Sequence, residues 1–534
     1  MKLLKLKIES DDGFRSLEKG FEINFHLLDD VQLHGSFRPL CMVGLNGCGK
    51  SNVMEALSLI FYHLELCVDI HIPPELLTQQ GFSPEKCLID AFRLEYLMKE
   101  SNLALDENHV VKVIVEKKKG KVPQMFKTNP YVKKSKVIEI SLQNLSEGQV
   151  SLAKMYLPKY VVGYSSGENE TLSAPFVISR AIHLFEFEQA TINNVADYSS
   201  PENSLIYIDS QMSQAILLCC LLFEDEKTLE PLSELHHTGI SRITRFRLKM
   251  RNASFVSGNG NRYSYLELLK KTIFDKLDAC ATMSWFDTKN EIYYFDYWVN
   301  DETKKAFRHY FHTSMECFQV FRLLHELNYS NKFGVEDIFQ FIDFYIQKKV
   351  GENHSIEIPL RQFSDGEHQF IHTIGICLLL KDSDALILLD EPETHYNPKW
   401  RSHFVRELNF ALENACDNDD VNFLKEVIIT SHSPFIISDC LPENVFVFEK
   451  KSNGNVEVRS AKEMGLNTYG ASTGVVMADF FESTDSIGDR AYQEMKDMAD
   501  SKGISKKELI KKVNAKFGDS LEKMMILGQI NEKE

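Results

Sequence analysis

The run Leu40-Cys-Met-Val43 leads without a break into Gly44-Leu-Asn-Gly-Cys-Gly49-Lys50-Ser51, and no other feature restricts the fold of this chain as strongly. Glycines let successive backbone N–H groups turn towards one anion, and the N-terminus of a following helix adds a favourable field for it. A helix does follow by pattern, because Val53, Ala56, Leu57, Ile60 and Leu64 fall on one face at helical spacing. Strand, GxxxxGKS and helix in that order make a phosphate-binding loop. Lys50 is then expected to reach the β and γ phosphates of ATP and Ser51 to ligate Mg²⁺. Asn46, Gly47, Gly49 and Asn52 complete the predicted nucleotide contacts of the loop.

A second apolar strand, Ala385-Leu-Ile-Leu-Leu-Asp390-Glu391-Pro392, carries two adjacent acids at its end. A buried strand alone has no need of them. Asp390 fits the carboxylate associated with Mg²⁺, and Glu391 fits the base that polarises the attacking water. Upstream lies Phe363-Ser364-Asp365-Gly366-Glu367-His368-Gln369, and downstream Ile428-Ile-Thr-Ser-His432-Ser-Pro ends another apolar strand.

Together these segments resemble ABC-type ATPases. Ser364, Gly366 and Glu367 stand where that family has its signature motif, although Phe363 replaces Leu and Asp365 replaces Gly. The resemblance implies that Ser364 and Gly366 contact the γ phosphate held by an opposite subunit, and that His432 is the switch histidine. Glu393-Thr-His395-Tyr-Asn397-Pro398 looks like the D-loop that crosses the dimer interface. For the Q-loop, Gly163-Tyr-Ser-Ser-Gly167-Glu-Asn169 follows a strand but offers no glutamine.

Composition narrows the class further. With 43% hydrophobic and 26% charged residues the chain is an ordinary globular one. Its longest apolar runs, Ala215 to Phe223 and Ile371 to Leu380, fall short of the roughly 18 residues of a membrane span. MKLLKLKIES alternates like a strand and lacks the features of a signal peptide, and the 11 cysteines are scattered without a zinc-like CxxC pair. These features predict a cytoplasmic protein without a membrane segment. A net charge of -17 disfavours nonspecific nucleic-acid binding over the whole surface.

The expected fold is α/β: an ABC-type P-loop ATPase head with an inserted, mainly helical subdomain and a helical C-terminal extension. Residues 1–165 form the first part of the head, 166–350 the insertion, 351–450 the second part, and 451–534 the extension. Strands are predicted at Lys2 to Ile8, Phe21 to Phe25, Cys87 to Tyr96 and Val110 to Val115, and helices at Ser213 to Phe223 and Asp301 to Leu327. No sustained heptad pattern predicts a coiled-coil arm.

Phe14 to Leu17 (FRSL), the early phosphate loop and the SDGE and DEPE motifs resemble the heads of RecF, SMC and OLD-type proteins. Tyr164 to Asn169, Leu205 to Ser210 and the C-terminal helices resemble more closely the restriction-system-associated AAA family ATPases, a group close to PtuA of the Septu antiphage systems. That resemblance implies a homodimer or higher even oligomer. It also implies a separately encoded HNH nuclease or other effector, and nucleic acid such as double-stranded DNA or a retron DNA product. The alternative is a RecF-like DNA-repair ATPase without a toxic effector. Downstream of Val445 no DxD strand follows Glu449 or Glu457, so no Toprim nuclease is expected.

Three weaker signals remain. Asp106, Glu116 and Lys118 have the order of a metal-dependent nuclease centre, but Lys117, Lys119 and Lys121 crowd the same turn as in a solvated hairpin tip. His236 and His237 lack partners at metal-ligand spacing. In Ser241 to Arg251, strand geometry puts Arg245, Arg247, Lys249 and Arg251 on one face and Phe246, Leu248 and Met250 on the other. That face suits phosphates, and equally a solvated surface paired with neighbouring acids.

Overall fold

Strands buried on both faces read as largely apolar runs, and three strands at the centre of this fold are buried in that way, although one of them carries Lys425 and Glu426. Leu40–Val43, Lys425–Thr430 and Ala385–Asp390 are buried at every residue and lie side by side and parallel. They form the centre of a seven-stranded sheet with the order Val456–Ser460, Val445–Lys450, Leu40–Val43, Lys425–Thr430, Ala385–Asp390, Tyr160–Ser165 and Leu205–Ile208. Only the Val456–Ser460 edge strand runs antiparallel to its neighbour. The architecture is that of a computed structural model describing residues 1–28, 37–68, 82–100, 109–132, 135–142, 151–167, 169–192, 203–234, 238–256, 262–330, 337–351, 354–414, 424–481, 487–501 and 504–532.

Successive strand residues face opposite sides, and the central strands accordingly divide between two cores. Leu40, Met42, Leu386, Leu388 and Ile428 join the core beneath helix Lys50–Val68. That core also takes Leu3, Leu6, Leu94, Tyr96, Val113 and Val115 from a six-stranded antiparallel sheet. On the other face Cys41, Val43, Ile387, Leu389, Val427 and Ile429 meet helices Met212–Phe223, Ser314–Ser330 and Pro398–Asn409. Buried Glu426 ties the two sheets together: it accepts from the Leu3 amide at 3.0 Å and from Lys2 Nζ at 3.3 Å, and His26 Nε2 stands 3.0 Å away.

A third sheet has the order Met283–Asp287, Ile292–Trp298, Ile240–Arg251, Phe339–Gly351 and His354–Pro359, all antiparallel. Its buried side carries Phe246, Leu248, Met250, Phe295 and Tyr297 into the second core, as the alternation in the basic strand predicts.

Several elements differ from expectation. Leu205–Ile208 pairs with Tyr160–Ser165, so the head sheet continues past residue 165, and Val456–Ser460 extends it past 450. The strand expected at Cys87 to Tyr96 lies at Phe92–Lys99, where it pairs with both Lys2–Ile8 and Val110–Lys117. The helix expected from Asp301 to Leu327 is two helices, Asp301–Phe311 and Ser314–Ser330. His312 between them has a φ of 45°, which a continuous α-helix cannot accommodate. In the C-terminal region, Thr473–Phe481 packs on the head through Val476 and Phe480. Helices Asp489–Ala499, Lys506–Lys516 and Leu521–Glu532 instead share their own small core of Met495, Leu509, Val513, Ile526 and Ile530. Among the described residues, no helix is long and apolar enough to cross a membrane.

Candidate functional site

Parallel strands expose their carboxyl ends together, and in open α/β sheets ligands bind at that edge. Leu40–Val43, Lys425–Thr430, Ala385–Asp390 and Tyr160–Ser165 are consecutive in the sheet. Their following residues therefore converge: the Gly44 to Ser51 loop, His432, Asp390-Glu391 and the segment ending at Asn169. Residues separated by hundreds of positions become hydrogen-bonded neighbours.

The loop needs its glycines for different reasons. Gly44, Gly47 and Gly49 have φ values of 140°, 75° and 99°. A Cβ on Gly44 would come within 2.4 Å of the Phe448 carbonyl, and one on Gly49 within 2.8 Å of Ser16 Oγ, whereas Gly47 faces open space. Lys50 is buried, and its Nζ donates to the carbonyls of Gly44 at 2.8 Å and Leu45 at 3.1 Å. The same nitrogen lies 3.2 Å from His432 Nε2. Burial, followed by the positive charge of Lys50, lowers the pKa of His432. A neutral imidazole whose Nε2 accepts from the ammonium fits this contact. The imidazole also lies against the Phe481 ring, with 5.5 Å between centroids.

Asp390 is the hub. Ser51 Oγ donates to its Oδ1 at 3.1 Å, as does Thr430 Oγ1 at 2.6 Å. Its Oδ2 accepts from Asn169 Nδ2 at 3.1 Å and from Ser165 Oγ at 3.5 Å. A buried carboxylate beside the loop serine is a suitable donor set for a hard divalent cation. Glu391 follows with a φ of 50°, in the left-handed region that a glutamate rarely adopts. Thr430 holds it there, since the Glu391 amide donates to both the carbonyl (3.2 Å) and the hydroxyl (3.0 Å) of that residue. The Glu391 carboxyl is half-exposed and lies 3.7 Å from His432 Nε2. Burial and the adjacent Asp390 raise its pKa, with Lys50 opposing.

The Ser364 segment has its own set of partners. Ser364 caps helix Asp365–Phe370 in a reciprocal capping box with Glu367, whose carboxylate also pairs with Lys348. Gly366 lies against the 393–398 segment, where a Cβ would sit 2.9 Å from the His395 carbonyl. The His395 amide donates to Gln369 Oε1 at 2.9 Å, and Asn397 caps helix Pro398–Asn409. Glu393 is buried with its pKa pushed up to about 7 by burial, while Ser431 donates to one of its oxygens.

Residues 282–438 match the model of a family described as "AAA domain, putative AbiEii toxin, Type IV TA system". The matched residues include Ser364, Gly366, Asp390, Glu391 and His432 but not the phosphate loop. Among solved structures the chain is similar to the SMC head domain from Thermotoga maritima, at 10% identity and a TM-score of 0.31, over 86% of this chain and 99% of that one.

One candidate contact of the loop, Asn52, falls differently from the rest. Asn52 donates to Ser16 Oγ at 2.7 Å, which braces the FRSL turn against the loop, and Arg15 in that turn donates to Glu55 on the loop helix at 2.9 Å. The residue that sequence reasoning missed is Asn169. Its segment followed the right strand, but only the pairing of Tyr160–Ser165 with Ala385–Asp390 brings its amide to Asp390. Of the weaker signals, Glu116 pairs with Arg93 inside the six-stranded sheet, while Asp106, His236 and His237 lie outside the described residues.

Proposed function

We propose that this chain binds and hydrolyses MgATP as an ABC-type ATPase, in composite sites between two copies, and that hydrolysis controls a partner effector in an antiphage defence system. The observation that carries the ATPase reading is the convergence of Lys50, Ser51, Asp390, Glu391, His432 and Asn169 at one sheet edge. Lys50 Nζ bonds to the loop's own Gly44 and Leu45 carbonyls, and it would turn to the terminal phosphates of a bound nucleotide. Mg²⁺, when bound, neutralises phosphate charge, and Ser51 and Asp390 would hold it. Glu391, with its pKa raised towards the working range, accepts a proton from the attacking water. His432 stays neutral beside Lys50 and serves as a hydrogen-bonding group at the γ phosphate.

The composite site is supported by the partners of Ser364, whose side-chain bonds go to Glu367 and not to the phosphate loop. Ser364 and Gly366 then serve the nucleotide of a second copy. Effector control, through an HNH nuclease or another partner, is supported by the separate core of the last three helices. The final helix exposes Leu521, Met524 and Met525.

The test uses purified variants. Lys50→Ala weakens nucleotide binding, Glu391→Gln binds ATP without turnover, and Ser364→Arg binds without turnover. Mixing Ser364→Arg with Lys50→Ala restores part of the activity, because one composite site of the mixed dimer keeps both native halves. Mixed dimers that form and stay inactive overturn the composite site, and wild-type turnover by Glu391→Gln removes that residue from its role.

A further inference from the structure

Two of the three tryptophans of the chain, Trp285 and Trp298, belong to the solvent side of the five-stranded sheet, opposite the buried Phe246, Leu248 and Met250. In cross-strand register Arg245 stands between Trp298 and Tyr345, and Lys249 lies opposite Tyr294, which in turn lies opposite Trp285. The side chains interleave as this register dictates. The Arg245 guanidinium lies 4.2 Å from the Tyr345 ring centroid and 5.5 Å from that of Trp298. Arg247 lies 5.0 Å from the Trp285 ring, and Trp285 stacks on Tyr294 at 5.0 Å with 18° between planes. Trp298 is 59% exposed, an unusual position for the residue with the largest apolar surface.

We propose that this face binds unpaired nucleic-acid bases, with Trp298, Tyr345, Tyr294 and Trp285 as stacking platforms and Arg245, Arg247 and Lys249 as contacts to the phosphates between them. The proposal goes beyond the function proposed above and does not rest on the ATP chemistry. Charge complementarity selects an anion: the basic strand concentrates Arg245, Arg247, Lys249 and Arg251 on one face of a chain whose net charge is -17. Aromatic chemistry selects the kind of anion. In a duplex the flat faces of the bases are stacked inside the helix, so exposed rings gain nothing from it, whereas unpaired bases offer a π-face to every ring. Asp296 and Asp343 moderate the charge. Asp296 Oδ2 accepts from Arg247 Nη2 at 2.9 Å, and Asp343 lies 3.7 Å from Nη1. This weakens a purely electrostatic grip on duplex while holding Arg247 over Trp285. Cations stacked on the rings also fix their orientation before a ligand arrives, which lowers the ordering cost of binding.

The tryptophans supply the assay. In a Trp400→Phe background Trp285 and Trp298 are the only tryptophans, and stacking of oligothymidylate or oligouridylate on them quenches the tryptophan emission. The two polymers show whether DNA and RNA are accepted alike, and a blunt DNA duplex is the control. We expect quenching by the single strands and at least tenfold weaker binding of the duplex. Trp298→Ala or Tyr345→Ala should weaken single-strand binding by about tenfold or more. Arg245→Gln should make its logarithmic salt slope shallower by about 0.7.

Absence of quenching, equal duplex affinity, or unchanged affinity in Trp298→Ala protein with native melting overturns the proposal. Should Trp298→Ala fail to fold, the quenching of the Trp400→Phe protein still decides. ATP hydrolysis measured on the same samples separates the two readings: normal turnover without single-strand binding sinks this proposal alone, and single-strand binding without turnover sinks the ATPase alone.

Discussion

Asn169→Ala tests the arrangement around Asp390 most directly, because one side chain does two separable things. Its Oδ1 accepts from the amides of Thr171 at 3.2 Å and Leu172 at 3.3 Å, at the start of helix Glu170–Ile192. Losing such a cap costs about 1 kcal/mol of stability. Its Nδ2 donates to Asp390 Oδ2 at 3.1 Å, and a hydrogen bond to a charged group contributes about 1.5–3 kcal/mol. If that bond sets the angle at which Asp390 faces the cation, its loss lowers kcat by roughly 10- to 150-fold. Asn169→Ser separates the two effects, since serine keeps a capping oxygen but is too short to reach Asp390. The assay is steady-state phosphate release across a Mg²⁺ titration, alongside thermal melting and nucleotide binding. We expect both variants to bind ATP and hydrolyse it slowly, with melting lowered in Asn169→Ala and largely restored in Asn169→Ser. Wild-type kcat in Asn169→Ala at every Mg²⁺ concentration refutes the reasoning, as does a rate restored by serine together with the melting temperature.

Two further outcomes follow from charge. Because burial and Asp390 raise the pKa of Glu391, and the base must be ionised to accept a proton, kcat falls as pH drops through a midpoint above the ordinary glutamate value of 4.5; a pH–rate profile with no acidic limb above that value contradicts the assignment. Burial alone would raise the pKa of Glu426, but the charges of Lys2 and His26, and the bonds from His26 and the Leu3 amide, hold it down to about 2. The stability it contributes is therefore complete above 4.5 and lost as pH falls towards 2. Glu426→Gln should cost about 3–5 kcal/mol in denaturant unfolding at neutral pH, with the gap from wild type closing in acid, and a gap independent of pH rules out this ion-pair account.

Much of the site was legible because its chemistry is local. A glycine turn between strand and helix, acids ending an apolar strand, and a histidine ending another each announce themselves within about ten residues. The basic strand was equally readable, since alternation assigns Phe246 and Arg247 to opposite faces before any partner is known. What such reading could not supply was the neighbour of each strand. Nothing near Arg245 in sequence names Trp298 or Tyr345, so a stretch that reads equally as a solvated charged face becomes an aromatic and cationic platform only when two other strands pair with it. Likewise His312, unremarkable within an amphipathic run, turns out to divide that run into two helices.

The sequence by itself determined that the glycine loop, the Asp390-Glu391 pair and His432 would each follow a buried strand, because a largely apolar strand must be buried and must deliver the polar residues that follow it to one edge. Only the tertiary structure decided that Tyr160–Ser165 lies beside Ala385–Asp390, and hence that Asn169 rather than a glutamine stands at Asp390. The order of parallel strands is set by how helices cover both faces of the sheet, and that packing joins residues far apart in the chain without leaving a mark on any one segment.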